Sequence, residues 1–186
     1  MPLVPVFDLD GTLLDSDEAL VAPFLLLGVD RDAITFGHTL DVECARLGIS
    51  VDAYLDAYDD QASQPFAGVS ELVSGLERWA VCSNKHAWAG RAELSRLGWE
   101  PELAMFSDAF GGPKRLGPVL EALDLRADEI VFVGDTGHDR QCAHEVSTRF
   151  VLAGWNPRAE PRAGDLVLAH PGELPGLLDD QSALTA

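Results

Sequence analysis

Positive charge is scarce in this chain. Thirteen Lys and Arg stand against thirty-one Asp and Glu, giving a net charge of −18. Such a field repels a phosphate backbone and argues against nucleic acid as a partner. It repels small anions as well, so any phosphate site must carry local positive charge from a metal, a lysine or backbone N–H groups. Cysteine is also rare. Cys44, Cys82 and Cys142 are odd in number, widely spaced and without a C-x-x-C pair, which fits neither a disulfide framework nor a zinc site and accords with a reducing compartment. Long hydrophobic runs are missing: the apolar stretch from Ala19 to Val29 is too short to span a bilayer. The first basic residue is Arg31, so the charged region of a signal peptide is absent too. The expectation is a soluble, cytoplasmic protein with no membrane partner. No feature indicates an oligomeric state.

What is present suits one globular core. The 186 residues are 47% hydrophobic and 24% charged, enough for a single domain with a modest insertion. Leu3–Phe7 is a short apolar run that ends in Asp-Leu-Asp-Gly-Thr, as a buried strand does when it delivers polar residues at its carboxyl end. From Asp15 to about Ala67 the character changes to helical stretches, such as Leu40–Leu47 and Ala53–Ala62, separated by glycines. Further strands are expected at Trp79–Cys82, Ala104–Phe106, Ile130–Val133, Arg149–Ala153 and Asp165–Ala169. Helices at Ser70–Glu77, Ala87–Leu97 and Leu116–Leu123 and a short one after Asp135 alternate with them. That order predicts an α/β fold, a doubly wound parallel sheet with a small helical cap insertion: residues 1–15 and 68–186 form the core and 16–67 the cap.

In open α/β sheets ligands bind beyond the carboxyl ends of the strands, so Asp8, Ser83 and Asp135 should converge there. Lys114 adds an ammonium. Carboxylates suited to a hard cation, beside a hydroxyl and an ammonium for phosphate, describe a phosphoryl-transfer site. Asp8 and Asp10 stand two apart, so an extended backbone turns both to one side, while Gly11 permits a tight turn behind them. One carboxylate can then attack phosphorus while its neighbour moves protons.

These residues carry a resemblance. Phe7-Asp8-Leu9-Asp10-Gly11-Thr12-Leu13-Leu14-Asp15-Ser16 is similar to the first motif of the haloacid dehalogenase superfamily in its phosphatase branch. Ser83, Lys114 and Gly134-Asp135-Thr136-Gly137-His138-Asp139 resemble the second, third and fourth motifs in order. Asn84-Lys85 resembles the pair that follows the second motif in phosphoglycolate phosphatase-like members. The resemblance implies a Rossmann-like core, Mg²⁺ as cofactor, and hydrolysis of a small phosphorylated metabolite through an aspartyl-phosphate. It makes Asp8 the nucleophile and a metal ligand, and Asp10 the general acid/base and a ligand through its backbone carbonyl. Asp135 becomes a further ligand, and Asp139, four residues on, one that binds directly or through water. Thr12, Ser83, Asn84 and Lys114 are expected to bind the substrate phosphate.

Other readings stay open at this level. A phosphomutase of the β-phosphoglucomutase type would keep the same catalytic set. A phosphoacceptor receiver module is also doubly wound and acidic at its strand ends, although its acceptor lies on a later strand. Dehalogenases of the superfamily lack the second aspartate, so Asp10 favours phosphate chemistry. The histidines at 38, 86, 138, 144 and 170 show no metal spacing, and the four tryptophans read as packing residues.

Overall fold

The computed structural model describes residues 3–179. Its centre is a six-stranded sheet in which every neighbouring pair is parallel. The strands are β1 (Val4–Phe7), β4 (Ala80–Cys82), β5 (Leu103–Met105), β6 (Ile130–Gly134), β7 (Arg149–Ala153) and β8 (Leu166–Leu168), in the spatial order β5-β4-β1-β6-β7-β8. The chain leaves β1 to one side, builds β4 and β5, then crosses back to place β6 on the other side. The strand order therefore reverses at β1, and the crevice that such a reversal opens lies at the carboxyl ends of β4, β1 and β6.

Both faces of the sheet are covered, which is why its strands read as apolar runs rather than alternations. Along β6, Ile130 and Phe132 face a core completed by Val4, Val6, Leu116, Val119 and Cys142. Val131 and Val133 face the other core, with Phe7, Trp79, Val81, Leu94, Trp99 and Leu174. Helices α6 (Leu116–Leu123) and α7 (Gly137–Glu145) pack on the first face. Helices α4 (Val69–Gly75), α5 (Ala87–Leu97) and α8 (Leu174–Asp179) pack on the second. All three cysteines are free and buried. Among the described residues no helix is long and apolar enough to cross a membrane.

An antiparallel pair forms the neck of the insertion, β2 (Leu14–Asp15) against β3 (Gln64–Pro65), with Leu14 opposite Pro65. Between them lie α1 (Asp17–Leu26), α2 (Leu40–Leu47) and α3 (Val51–Ala57). Their own small core is Phe24, Cys44, Tyr54 and Tyr58, joined by Ala89 of α5. The rings of Phe24 and Tyr54 lie 4.6 Å apart. Helix α1 gave no periodic signal, because its apolar residues run almost all round and Pro23 sits inside it. Helix α3 begins and ends earlier than the stretch Ala53–Ala62 suggested. Ser50 caps it by accepting the N–H of Ala53 at 3.0 Å, and at Tyr58 the backbone turns extended. Strand β5 lies one residue earlier than the pattern Ala104–Phe106, and β8 is shorter than Asp165–Ala169.

Candidate active site

The first acidic turn is held from several directions. Strand β1 passes directly into Asp8, whose N–H donates to the Val133 carbonyl at 2.9 Å and whose Oδ1 accepts the N–H of Leu9 at 2.8 Å. The chain then doubles back, with the Leu9 carbonyl accepting from both Leu13 and Leu14 at 3.0 and 2.9 Å. Gly11 has φ +77°, and a Cβ there would be driven into the Asp135 carboxylate, so both the turn and the close approach need glycine. From the loop after β7, Asn156 donates through Nδ2 to the Gly11 carbonyl at 2.8 Å and to Asp135 Oδ2 at 3.0 Å. Trp155 donates to the Thr12 carbonyl at 2.8 Å. Thr12 is fully buried and donates to Asp135 Oδ1 at 3.1 Å. It does not line the cavity. Its place is behind Asp135, not among the phosphate-facing groups where the sequence put it.

Lys114, in the loop before α6, brings the nucleophile candidate and the last motif together. Its ammonium is 2.8 Å from Asp8 Oδ1 and 2.6 Å from Asp139 Oδ1, with the side chain 3% exposed. Asp139 reaches this position because it belongs to a capping box. Thr136 is the N-cap of α7, Asp139 Oδ2 accepts the Thr136 N–H at 2.9 Å, and the Thr136 hydroxyl receives the Asp139 N–H at 3.2 Å. Asp135 precedes the helix, so the two acids meet through this cap and do not share one helical face. One carboxylate oxygen from each of Asp8, Asp135 and Asp139 lies within 4.8 Å of the others.

Crowding of these acids has electrostatic consequences. Burial, opposed by Lys114 and reinforced by Asp139, pushes the Asp8 carboxyl up to about 6. Burial and the neighbouring Asp8 and Asp139 push Asp135 up to about 8. Burial would also raise Asp139, but Lys114 and Thr136 outweigh it and hold that carboxyl below its ordinary range. The Lys114 ammonium is held well above its usual range, since Asp139 and Asp8 overcome its desolvation. The donor set is all oxygen, hard and short of positive charge. It could hold a divalent cation such as Mg²⁺, which would relieve the repulsion between Asp8 and Asp135.

Asp10 turns to a different lysine. Lys85 Nζ lies 2.6 Å from Asp10 Oδ1 and 3.0 Å from Glu93 Oε2, with the lysine and glutamate side chains 2% and 0% exposed. Burial opposes the Lys85 charge, but Asp10 and Glu93 outweigh it and hold the ammonium above its ordinary range. Asp10 is absent from the carboxylate group of Asp8, Asp135 and Asp139, so its side chain is not part of the cation-binding candidate.

The site opens into a cavity of about 400 Å³ between the sheet ends and the insertion. Asp8, Asp10, Ser83, Asn84, Lys85, Lys114 and Asp135 line the core side, and Leu20, Phe24, Phe36, Tyr54 and Tyr58 the insertion side. Ser83 follows β4 and accepts the Lys85 N–H at 3.3 Å. Asn84 accepts the Lys114 N–H at 2.7 Å and donates to the Gly37 carbonyl at 3.3 Å, tying the third motif to the insertion. Seven of the eight site residues read from the sequence thus gather here, with Asp139 just beneath the cavity floor and Thr12 alone turned away. Lys85, Glu93, Trp155 and Asn156 join the site without a role in the sequence reading, where Trp155 stands only as a packing residue. Only Lys85 carried a signal, as the neighbour of Asn84.

A nucleophile candidate at the end of β1, beside a buried lysine and an acid cluster at the sheet's switch point, makes this crevice the candidate site of an α/β enzyme. The chain belongs to the haloacid dehalogenase-like hydrolases, whose family pattern it matches over residues 6–153. It is 26% identical to the N-acetylmuramic acid 6-phosphate phosphatase of Pseudomonas aeruginosa over 94% of this chain and 93% of that one. It is 32% identical to the phosphoglycolate phosphatase of Pectobacterium atrosepticum over 78% and 77%. The fold is shared with the L-2-haloacid dehalogenase of Xanthobacter autotrophicus, at a TM-score of 0.72 and 17% identity over 98% of this chain and 100% of that one. That last likeness speaks for the fold alone. The chain is therefore an enzyme of a hydrolase family, with phosphatases among its relatives over most of its length.

Proposed function

We propose that this enzyme hydrolyses a small phosphate monoester with Mg²⁺ through an aspartyl-phosphate on Asp8. The observation that carries the reading is the setting of Asp8: a buried carboxylate at a strand end, 2.8 Å from the Lys114 ammonium and beside two further acids. Asp8, Asp135 and the backbone carbonyl of Asp10 would hold the ion. Asp139 stands beside them with its carboxylate already shared between Lys114 and Thr136, which favours an outer position. Once bound, Mg²⁺ supplies Lewis-acid neutralisation of phosphoryl charge.

The remaining work falls to the chain's own side chains. A carboxylate oxygen of Asp8 attacks phosphorus as the bond to the leaving oxygen breaks, and Asp10 gives that oxygen its proton. Asp10 then takes a proton from water, whose oxygen attacks the same phosphorus and displaces Asp8, releasing inorganic phosphate. Lys114 and Ser83 hold phosphoryl oxygens, and the Lys114 charge restrains the acids around it. Asn84 adds a hydrogen bond at the cavity edge. Thr12 acts through Asp135, which its hydroxyl orients. The substrate is a small phosphorylated metabolite whose body lies against Leu20, Phe24, Tyr54 and Tyr58.

The test is phosphate release from p-nitrophenyl phosphate and a panel of phosphorylated metabolites, with and without Mg²⁺. Asp8→Asn should lower the Mg²⁺-dependent rate by at least about 10³-fold while the folded protein persists. Retained activity in that variant would sink the covalent mechanism. Transfer of the phosphoryl group to a sugar phosphate in preference to water would mark a mutase.

A further inference from the structure

The Lys85–Glu93 pair has no part in the chemistry just described, yet it is among the most deeply buried polar groups of the molecule. Burying two charges costs several kcal/mol per ion before their attraction is counted, and apolar residues of similar volume would often serve stability as well. Glu93 is nonetheless held on both oxygens: its Oε1 receives the Tyr58 hydroxyl at 2.6 Å and the Ser63 hydroxyl at 2.7 Å, while its buried Oε2 has no hydrogen-bond donor and faces the Lys85 ammonium as its counter-charge. Both hydroxyls come from the segment that leads from α3 back to the neck. Arg96 fastens that segment again by donating to the Ser63 carbonyl at 2.7 Å.

The consequence lies at the front of the pair. A lysine on a four-carbon stem is mobile unless something fixes its head. Glu93 fixes it from behind, 3.0 Å away, and the Tyr58 ring flanks it with its centroid 5.4 Å from Nζ. Held in this way, Lys85 grips Asp10 by Oδ1 alone. Asp10 Oδ2 has no hydrogen-bond partner among the described residues, and the residue lines the cavity. We propose that Lys85, anchored by Glu93, is a positioning residue for Asp10: it fixes one carboxylate oxygen so that the other faces the reacting phosphoryl group. The inference rests on the reading of Asp10 as the group that moves protons. It adds to that reading a reason for the buried pair and a path by which the insertion's neck fixes the acid/base group.

The experiment compares kcat/KM for n-butyl phosphate, whose alkoxide needs a proton to leave, with p-nitrophenyl phosphate, whose phenolate leaves without one. Lys85→Met is combined with Glu93→Gln, so that no lone carboxylate is left in the interior. The expected loss is about 10- to 100-fold on the butyl ester, the scale of a misplaced catalytic group, and within about threefold on the aryl ester. In an Asp10→Asn background the same pair of changes should cost nothing further, because it acts only through Asp10. Equal losses on both esters, or an undiminished loss in the Asp10→Asn background, would overturn the proposal and leave the pair a structural staple. If Asp10→Asn itself hydrolyses the butyl ester at the full rate, the acid/base reading fails first, a distinct outcome. Should the double variant melt too low to assay, Ser63→Ala is the milder probe, since Ser63 donates to Glu93 without lining the cavity. It keeps both charges and should show the same selective loss, several-fold, on the butyl ester, and an equal effect on both esters would again count against positioning.

Discussion

Two buried lysines divide the site, and they are held by different parts of the molecule. Lys114 bridges Asp8, at the end of β1, and Asp139, in the cap of α7, so everything it touches belongs to the doubly wound core. Lys85 bridges Asp10 and Glu93, and Glu93 in turn receives hydroxyls from Tyr58 and Ser63 on the insertion side. The proposed nucleophile is thus framed by side chains of the core. The proposed acid/base group is joined to the insertion. The lesson is that the proposed attack on phosphorus, common to any phosphate ester, rests on core side chains and meets the variable segment only at one remove, through Asn84 and the Gly37 carbonyl. The part that depends on the leaving group is in contact with that segment.

That contrast is open to direct attack. The largest effect is expected for Lys114→Met, which leaves two buried carboxylates without a counter-charge. It should lower stability by about 3–5 kcal/mol and abolish phosphate release. Denaturant melts would register the first effect, and added Mg²⁺ should recover part of it. Lys85→Met should cost at least about 1 kcal/mol less, because Asp10 is partly exposed to water and Glu93 keeps two hydroxyl hydrogen bonds. Equal losses would erase the asymmetry between the two halves.

A smaller change sharpens the same contrast. Asn156 ties Gly11 and Asp135 together from the loop after β7, wholly on the core side. Asn156→Ala should destabilise by about 1–3 kcal/mol and raise the Mg²⁺ concentration for half-maximal activity by about 10- to 100-fold, as for other residues that orient a ligand from behind. The ratio of butyl to p-nitrophenyl ester hydrolysis should stay unchanged. A shifted ratio would mean that the two halves are not separable.

How much of this the sequence revealed follows the same division. Asp8, Ser83, Lys114 and Asp135 stand at the ends of apolar strands or in glycine-rich turns, and a parallel sheet brings such positions together wherever it reverses. Local pattern therefore predicts their meeting. A hydroxyl in a glycine turn carries no sign of which way it points, and that of Thr12 points inward to Asp135. Glu93 lies in the middle of α5, where an acid ordinarily faces solvent, and nothing local shows that Lys85 and Tyr58 close over it. Asn156 is 145 residues from the Gly11 carbonyl it bonds, and no short-range signal spans that distance. Helix α1 escaped notice for a related reason, since an all-round apolar segment with an internal proline has no amphipathic period to read.

The smallest expected effect concerns the insertion by itself and asks whether it can loosen without the core. Glu43 of α2 is buried, accepts from the Thr35 N–H and hydroxyl, and pairs with Arg46 at 2.6 Å. The Arg46 guanidinium, against the opposing cost of burial and with help from Thr35, pulls its carboxyl down to about 2. A carboxyl depressed in the folded state stabilises fully above its unfolded value, near 4.5, and loses that contribution as pH falls from there toward 2. The contribution should be about 1–3 kcal/mol. Melting wild type and Glu43→Gln side by side between pH 6 and pH 3 isolates it, because all other titrating groups are common to both. The gap between the two curves should narrow as the solution is acidified. Hydrogen exchange should show the loss confined to the insertion, and protection lost equally across β1 and β6 would mean that the insertion and the core unfold as one.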